Sequence, residues 1–375
     1  MIVRPCDGLV GSPRRIPPQR PELNHLNGRG LVPSSAETKQ KRARSGMASE
    51  TTSLAITFAC GLYDRMLPLY TRQVRPKGID LDFVLSDSPR DLFNRMSGPE
   101  PFDAAEMSAS EFIARFDAGR CPFVAIPVFP SRLFRHGFVT VNRKAGIRAP
   151  KDLEGKRVGT QVYTQTASVW MRGMLAHDHG VDLSTIHWVQ GDLNKPGVHE
   201  TAEIMPLLKP VRMEPNRSDK SLTQLLEDGA LDALITPQVP VSLGAHPDIE
   251  RLFADFHAVE LDYYRRTKIF PIMHLVVIRR DLHEAHPFVA RSLYAAFEAA
   301  KNKAVARMRS VSGTLPYMLP WLKDHVDELI REFGDDPWPY GIEPNRPTLE
   351  ALVDYLFEQD MIGRRIPVDE LFVAC

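Results

Sequence analysis

The sequence predicts an α/β protein whose single chain builds two lobes. Three observations carry this. From Leu54 onward, short apolar runs of strand length alternate with helix-like segments. The same alternation begins afresh after residue 150. A strand-like return near residue 273 is then followed by a mostly helical stretch to the C-terminus. With 375 residues, 43% hydrophobic and 25% charged, the chain is long enough for a large core or for two lobes.

Charge and composition exclude several classes. Lys+Arg and Asp+Glu both total 47, so no global field attracts nucleic acid or an anionic membrane, and any anion must be recognised by a local cluster. No run of about 18 apolar residues is present to span a bilayer. The N-terminus has no continuous apolar core of a secretory signal, so a cytoplasmic location is expected. Cys6, Cys60, Cys121 and Cys375 are scattered without a C-x-x-C pair, which suggests neither a disulfide framework nor a structural zinc site, and no metal is expected.

The elements follow in order. Residues 1–46 are rich in Pro, Arg, Gly and Ser without a hydrophobic period and are expected to be a disordered extension. Met47 is an alternative start to Met1. "LAITFAC" reads as a buried strand running into the turn "GLYDR". "IDLDFVLSD" alternates as a strand, and "SPRDLFNRMS" reads as a helix capped by Ser88 with Pro89 in its first turn. "FDAAEMS" is a short strand, "SASEFIARFDAG" a helix ending at Gly119, and "FVAIPVFP" and "GFVTVNRKAGI" are further strands. The grammar restarts with the strand "KRVGTQ" and the helix "TASVWMRGMLAHDHG", closed by Gly180. "STIHWVQGD" reads as a strand, "SLTQLLEDGALDALITPQVP" as helix, turn and strand, and "RLFADF" as a short element before a loop. "FPIMHLVVIRRDL" is a returning strand. "HPFVARSLYAAFEAAKNKAVARM" is a long amphipathic helix, apolar at Val289, Leu293, Ala296 and Phe297. The expected organisation is 47–138 as the first part of lobe 1, 139–272 as lobe 2 and 273–375 as the helical remainder of lobe 1. A ligand would lie between the lobes, at strand C-termini and helix N-termini.

Within this pattern "VTVNRKAGIRAPKDLEGKRVGT" resembles the hinge and entry segment of the type II periplasmic-binding-protein-like fold. More specific segments, "FDAAEMSASEFIARF", "IPVFPSRLFRHGFVTVN", "LLEDGALDALITPQVP" and "DDPWPYGIEPNRPTLEALVDYLFEQDMIGRRIPVDELF", resemble the 4,5-dihydroxyphthalate decarboxylases, enzymes built on that fold. The resemblance runs from about Leu54 to Phe372. It implies two lobes with a ligand cleft between them and the C-terminal helices packed on lobe 1. It also implies a lyase that removes CO2 from a dihydroxylated aromatic dicarboxylate to give protocatechuate. Such chemistry needs bound carboxylates, a proton for the ring carbon that loses CO2, and a hydrogen-bonded phenol para to it. It strictly requires no cofactor, and none is expected.

The residues offer candidates for these tasks. "RLFRHGF" sets Arg132, Arg135 and His136 among aromatics after a lobe-1 strand. The arginines can fork onto a carboxylate and His136 can carry a proton near neutral pH, or the cluster simply pairs across the lobes. In "GLYDR", Tyr63, Asp64 and Arg65 face the cleft, or Asp64 and Arg65 instead cap the helix and sit on its surface. In "AAEMSAS", Glu106 follows an apolar pair; burial would raise its pKa and make it a candidate proton donor, or it forms a structural ion pair, while Ser108 offers a hydroxyl. Thr164, Gln165 and Thr166 enter a helix whose free N–H groups and hydroxyls suit a carboxylate. Thr236 and Gln238 end another strand. His274 is either a second acid/base or a core histidine. His177 and His179, two apart on a helix, point to different faces and make a poor metal pair.

Two other readings stay open. One is a solute-binding protein that captures a small organic anion for transport or sensing. The other is a pyrimidine-handling enzyme of thiamine-precursor synthesis, which Cys60 and Cys121 support poorly because no cluster surrounds them. No heptads or interface stripe define an oligomeric state, and a homo-oligomer is compatible with the chain.

Overall fold

The computed structural model describes residues 53–98, 101–197, 206–310 and 314–375; the extension expected over 1–46 lies outside the described residues. The chain opens with β1 (Leu54–Cys60), α1 (Leu67–Tyr70), β2 (Ile79–Leu85), α2 (Pro89–Met96), β3 (Ala104–Ser108), α3 (Ala109–Asp117) and β4 (Phe123–Arg132). It continues with β5 (Val139–Asn142), β6 (Arg157–Thr160), α4 (Thr166–His179), β7 (His187–Gln190), β8 (Met213–Pro215), α5 (Leu222–Glu227), β9 (Ala233–Ile235), β10 (Ile249–Arg251) and α6 (Phe256–Thr267). It returns through β11 (Ile272–Arg279), α7 (Arg280–Ala285), α8 (Phe288–Arg309), α9 (Leu322–Phe333) and α10 (Arg346–Glu358).

These strands make two mixed sheets, ordered β2-β1-β3-β11-β4 and β10-β5-β9-β6-β7-β8. The fold is α/β and two-lobed, with one sheet per lobe. The chain leaves the first sheet after β4 and re-enters it as β11, which runs antiparallel between β3 and β4. Every residue of β3 and nearly every residue of β4 is buried, as strands covered on both faces must be. Local signals did their expected work: the Ser88 hydroxyl accepts from the Asp91 N–H at 3.3 Å, and Gly180 closes α4 in the left-handed conformation.

Besides β10 and α7, which only overlap segments read otherwise, two elements went unread in the sequence. β8 is an exposed edge strand of three residues. α6, twelve residues long, replaces the loop expected before the return strand; the Asp255 carboxylate caps it by accepting from the Ala258 N–H at 3.1 Å.

The C-terminal helices pack on the first lobe, as expected, and they also dock on α4 of the second. Arg172, buried on α4, donates Nε–H to Gln359 at 2.8 Å, and Gln359 returns a bond to the Val169 carbonyl at 3.1 Å. Trp170 donates its indole N–H to the Ile272 carbonyl at 2.9 Å. His177 meets Glu358 at 2.6 Å and lies over the Tyr355 ring. Between these, Gly173 lets the Tyr355 ring sit directly on the α4 backbone, and a Cβ there would collide with the ring. The second lobe is thus seated on both the returning strand and α10. Gly173→Ala is expected to cost about 1–3 kcal/mol in urea unfolding through overpacking, and Tyr355→Leu in the same chain should recover part of that loss.

Candidate functional site

Strand alternation and sheet order bring the central groups together. Glu106 and Ser108 share one face of β3, being two residues apart. On neighbouring β11, His274 pairs with Ser108 and Val276 with Glu106, so His274 stands diagonal to Glu106. On the other side of β3, the parallel ladder with β1 brings the end of β1 and the turn after it alongside Glu106.

The Glu106 side chain is 1% exposed and fully enclosed by donors. One oxygen, Oε1, lies 2.5 Å from His274 Nδ1 and accepts the Tyr63 hydroxyl at 2.8 Å. The other accepts the Gly61 backbone N–H and the Cys60 thiol, each at 3.2 Å. Burial by itself pushes the carboxyl up, but the charge and hydrogen bond of His274, with Gly61 and Tyr63 behind them, pull it down to about 2. This reverses the direction expected from burial alone: Glu106 is buried as foreseen, yet its neighbours favour the carboxylate. The same enclosure pushes the Cys60 thiol and the Tyr63 phenol up, by burial first and the Glu106 charge second, so both remain donors. Gly61 matters by closeness, since a Cβ there would stand 3.0 Å from the Tyr63 ring.

His274 keeps 17% of its side chain exposed, and its Nε2 has no hydrogen bond among the described residues. Phe93 meets its ring edge-on at 5.0 Å, and the Arg90 guanidinium lies over Phe93 at 5.3 Å. Against the Tyr63 ring, Arg65 donates Nε–H to the Pro130 carbonyl at 2.8 Å, with Nη2 on the same oxygen. Its guanidinium is sandwiched between the rings of Tyr63 at 4.4 Å and Trp338 at 4.2 Å, and Nη1 meets the half-exposed Asp64 at 3.1 Å.

The other candidates fall into two separate places. Ser108 and Ser110 meet Thr166 of the second lobe, with 3.0 Å between the Ser108 and Thr166 hydroxyls. Ser110 also donates to the Thr164 carbonyl at 2.9 Å. Gln165 turns back to Ser168, donating at 3.1 Å. These contacts close the lobes, leaving a gap of about 20 Å³ lined by Arg90, Ser108, Thr164 and Gln165.

The opening cluster is dispersed. Arg132 donates to the Pro339 carbonyl at 2.9 Å and to Asn345, fastening the loop that presents Trp338; burial lowers its pKa to about 9. Arg135 donates to the Pro237 carbonyl at 2.9 Å and stacks on Phe138, beside Thr236, whose hydroxyl is used by the Gln238 carbonyl at 2.6 Å; the rest of Gln238 is exposed. His136 is 1% exposed, packed edge-on to Phe253 and Tyr263, with Nδ1 3.8 Å from Glu260 on α6. The structure therefore joins Glu106, His274, Arg65 and Asp64, and places His136 elsewhere. Tyr63 was foreseen as facing the cleft but without a role, and Cys60, Phe93 and Trp338 were not singled out as site residues. The "DDPW" segment carried a signal for Trp338, but nothing local tied it to Arg65.

The family model described as "NMT1/THI5 like" matches residues 133–204. The 4,5-dihydroxyphthalate decarboxylase of Comamonas testosteroni is 35% identical over 322 residues, covering 86% of this chain and 97% of that one. The protein of the same name from Pseudomonas putida is 36% identical over 213 residues, covering 56% and 82%. Among solved structures, the periplasmic aliphatic sulphonate binding protein of Escherichia coli matches with a TM-score of 0.45 and 13% identity, over 85% of this chain and 92% of that one.

Burial, with the neighbouring His179 second, depresses His136 from 6.5 to about 4. Above pH 6.5 it is neutral folded or unfolded. As pH falls from 6.5 to 4 the unfolded chain takes up a proton that the native pocket refuses, so stability is lost across that window, by up to about 3 kcal/mol. His136→Phe should flatten this part of the stability–pH curve in denaturant titrations at pH 7 and pH 4.5; an unchanged slope would show the ring to be solvated.

Proposed function

The chain belongs to the 4,5-dihydroxyphthalate decarboxylase family, and on that footing we propose that it removes CO2 from a dihydroxylated aromatic dicarboxylate at the face of the first lobe where His274 meets Glu106. The observation that carries this is the pairing itself: a buried carboxylate, kept charged by four donors, holds one nitrogen of a partly exposed histidine whose other nitrogen has no hydrogen bond among the described residues.

In the proposed reaction Glu106 fixes the orientation of His274 and stabilises a proton on Nδ1. His274 Nε2 delivers a proton to the ring carbon bearing the departing carboxylate. The bond to the carboxylate carbon then breaks, CO2 leaves, and the electron pair returns to the ring. The phenol para to that carbon supplies electrons as the proton arrives, and one of the seam hydroxyls, Ser108 or Thr166, accepts its hydrogen bond. Arg65 spends three of its five N–H donors on Pro130 and Asp64 and keeps the others for a substrate carboxylate. Phe93 supplies an apolar wall next to His274. Admission of the substrate parts the Ser108–Thr166 and Ser110–Thr164 contacts, because small-molecule sites need hundreds of cubic ångströms. A protein that merely captures an anion has no use for an oriented proton carrier, and this favours chemistry over the solute-binding reading.

The test is turnover of 4,5-dihydroxyphthalate, followed by CO2 release and protocatechuate formation. His274→Ala and Glu106→Gln should each lower kcat by about a hundredfold or more, the usual weight of a positioned acid or base. Arg65→Ala should chiefly raise KM, by about tenfold, if it binds the retained carboxylate equally in ground and transition states. His136→Phe should retain turnover. Tight binding without CO2 release by the wild type would support the solute-binding reading instead. Loss of turnover in His136→Phe but not in His274→Ala would return the proton to His136.

A further inference from the structure

A groove of about 540 Å³ lies on the first lobe between α1 and α8, outside the interlobe seam. It is lined by the apolar side chains of Leu67, Pro68 and Ala304, by Tyr63 and Tyr317, and on α8 by Lys303 and Arg307, whose guanidinium lies over the Tyr317 ring at 6.0 Å. These two cations are four residues apart on one helix, so they project from the same face one turn apart. Among the described residues neither has a carboxylate partner within ion-pair distance, whereas Lys301 of the same helix is held by Glu298 and Asp336. The one carboxylate in the groove, Asp64, is already occupied by the backbone N–H of Arg65 at 2.7 Å and its guanidinium at 3.1 Å. An apolar slot with two cations on one side that meet no carboxylate among the described residues suits a flat, anionic guest.

We infer that this groove is a second binding site, for an aromatic carboxylate, distinct from the Glu106–His274 centre but sharing Tyr63 with it. Lys303 and Arg307 take the carboxylate and the ring lies on Leu67, Pro68 and Ala304. The guest rests against the same tyrosine whose hydroxyl donates to Glu106 at 2.8 Å. The choice of aromatic carboxylates rests on the proposed function; the groove and its cations do not.

The probe is phthalate, which lacks the phenols that drive decarboxylation, titrated calorimetrically into the full chain. The wild type should show two binding sites. Lys303→Glu with Arg307→Glu should weaken one of them by about tenfold or more while leaving the other site and kcat unchanged. The neutral pair Lys303→Gln with Arg307→Gln should weaken the same site, which guards against a folding defect in the reversed-charge chain. A wild type with one site or none, or two sites indifferent to both substitutions at 303 and 307, overturns the inference. The reactive-site reading fails separately, if Glu106→Gln and His274→Ala turn over normally.

Discussion

The site depends on one constraint: a fully buried carboxylate that must stay charged. Removing Glu106 from water costs several kcal/mol unless donors replace the water. Four do, and they come from three places in the fold. β1 ends on Cys60, the following turn brings the Gly61 N–H and the Tyr63 hydroxyl, and β11 brings His274. The strand order β1-β3-β11 is what permits this, because it flanks Glu106 with the two strand segments that satisfy it. A chain that returned to the sheet at any other position would leave the carboxylate unpaired and would leave His274 without an orientation.

The same centre organises its surroundings. Tyr63, held by Glu106, stacks on Arg65, and Arg65 is pressed from the far side by Trp338. Trp338 is fixed in turn by its indole bond to the Phe129 carbonyl at 2.8 Å, and the loop beyond it by Arg132. The cation placed to meet substrate is therefore positioned by aromatic faces rather than by a carboxylate that would neutralise it, apart from the outer contact with Asp64. Across the gap, α4 is anchored along its length to Ile272 and α10, while Thr166 at its start meets Ser108 and Ser110 of the first lobe through hydrogen bonds. The hydroxyl contacts are the weaker part of that interface, and they lie over the site.

Local patterns in the sequence disclosed most of the strands, the long helices and the two-lobed plan, because periodicity and caps are local. Glu106 and His274 were each legible as polar residues in apolar strands. Their contact was not, since they stand 168 residues apart and sheet order is no local property. For the same reason the ionisation of Glu106 was read with the wrong sign: burial could be inferred from Ala104 and Ala105, but the donors from β1 and β11 could not. The "RLFRHGF" cluster misled in the opposite way. Its crowding of cations and aromatics looked like one site, yet β4 runs on through Arg132, the next residues turn away, and the unread helix α6 covers His136.

The central claim is that Glu106 is ionised inside the protein and that His274 is held by that charge. The most direct measurement is the infrared difference spectrum between the wild type and Glu106→Gln, taken from pH 7 down to pH 4. The account predicts carboxylate stretching bands for Glu106 throughout this range and no protonated carboxyl band, since its pKa lies near 2. A protonated carboxyl band at pH 7 would contradict it and would make Glu106, rather than His274, the proton donor.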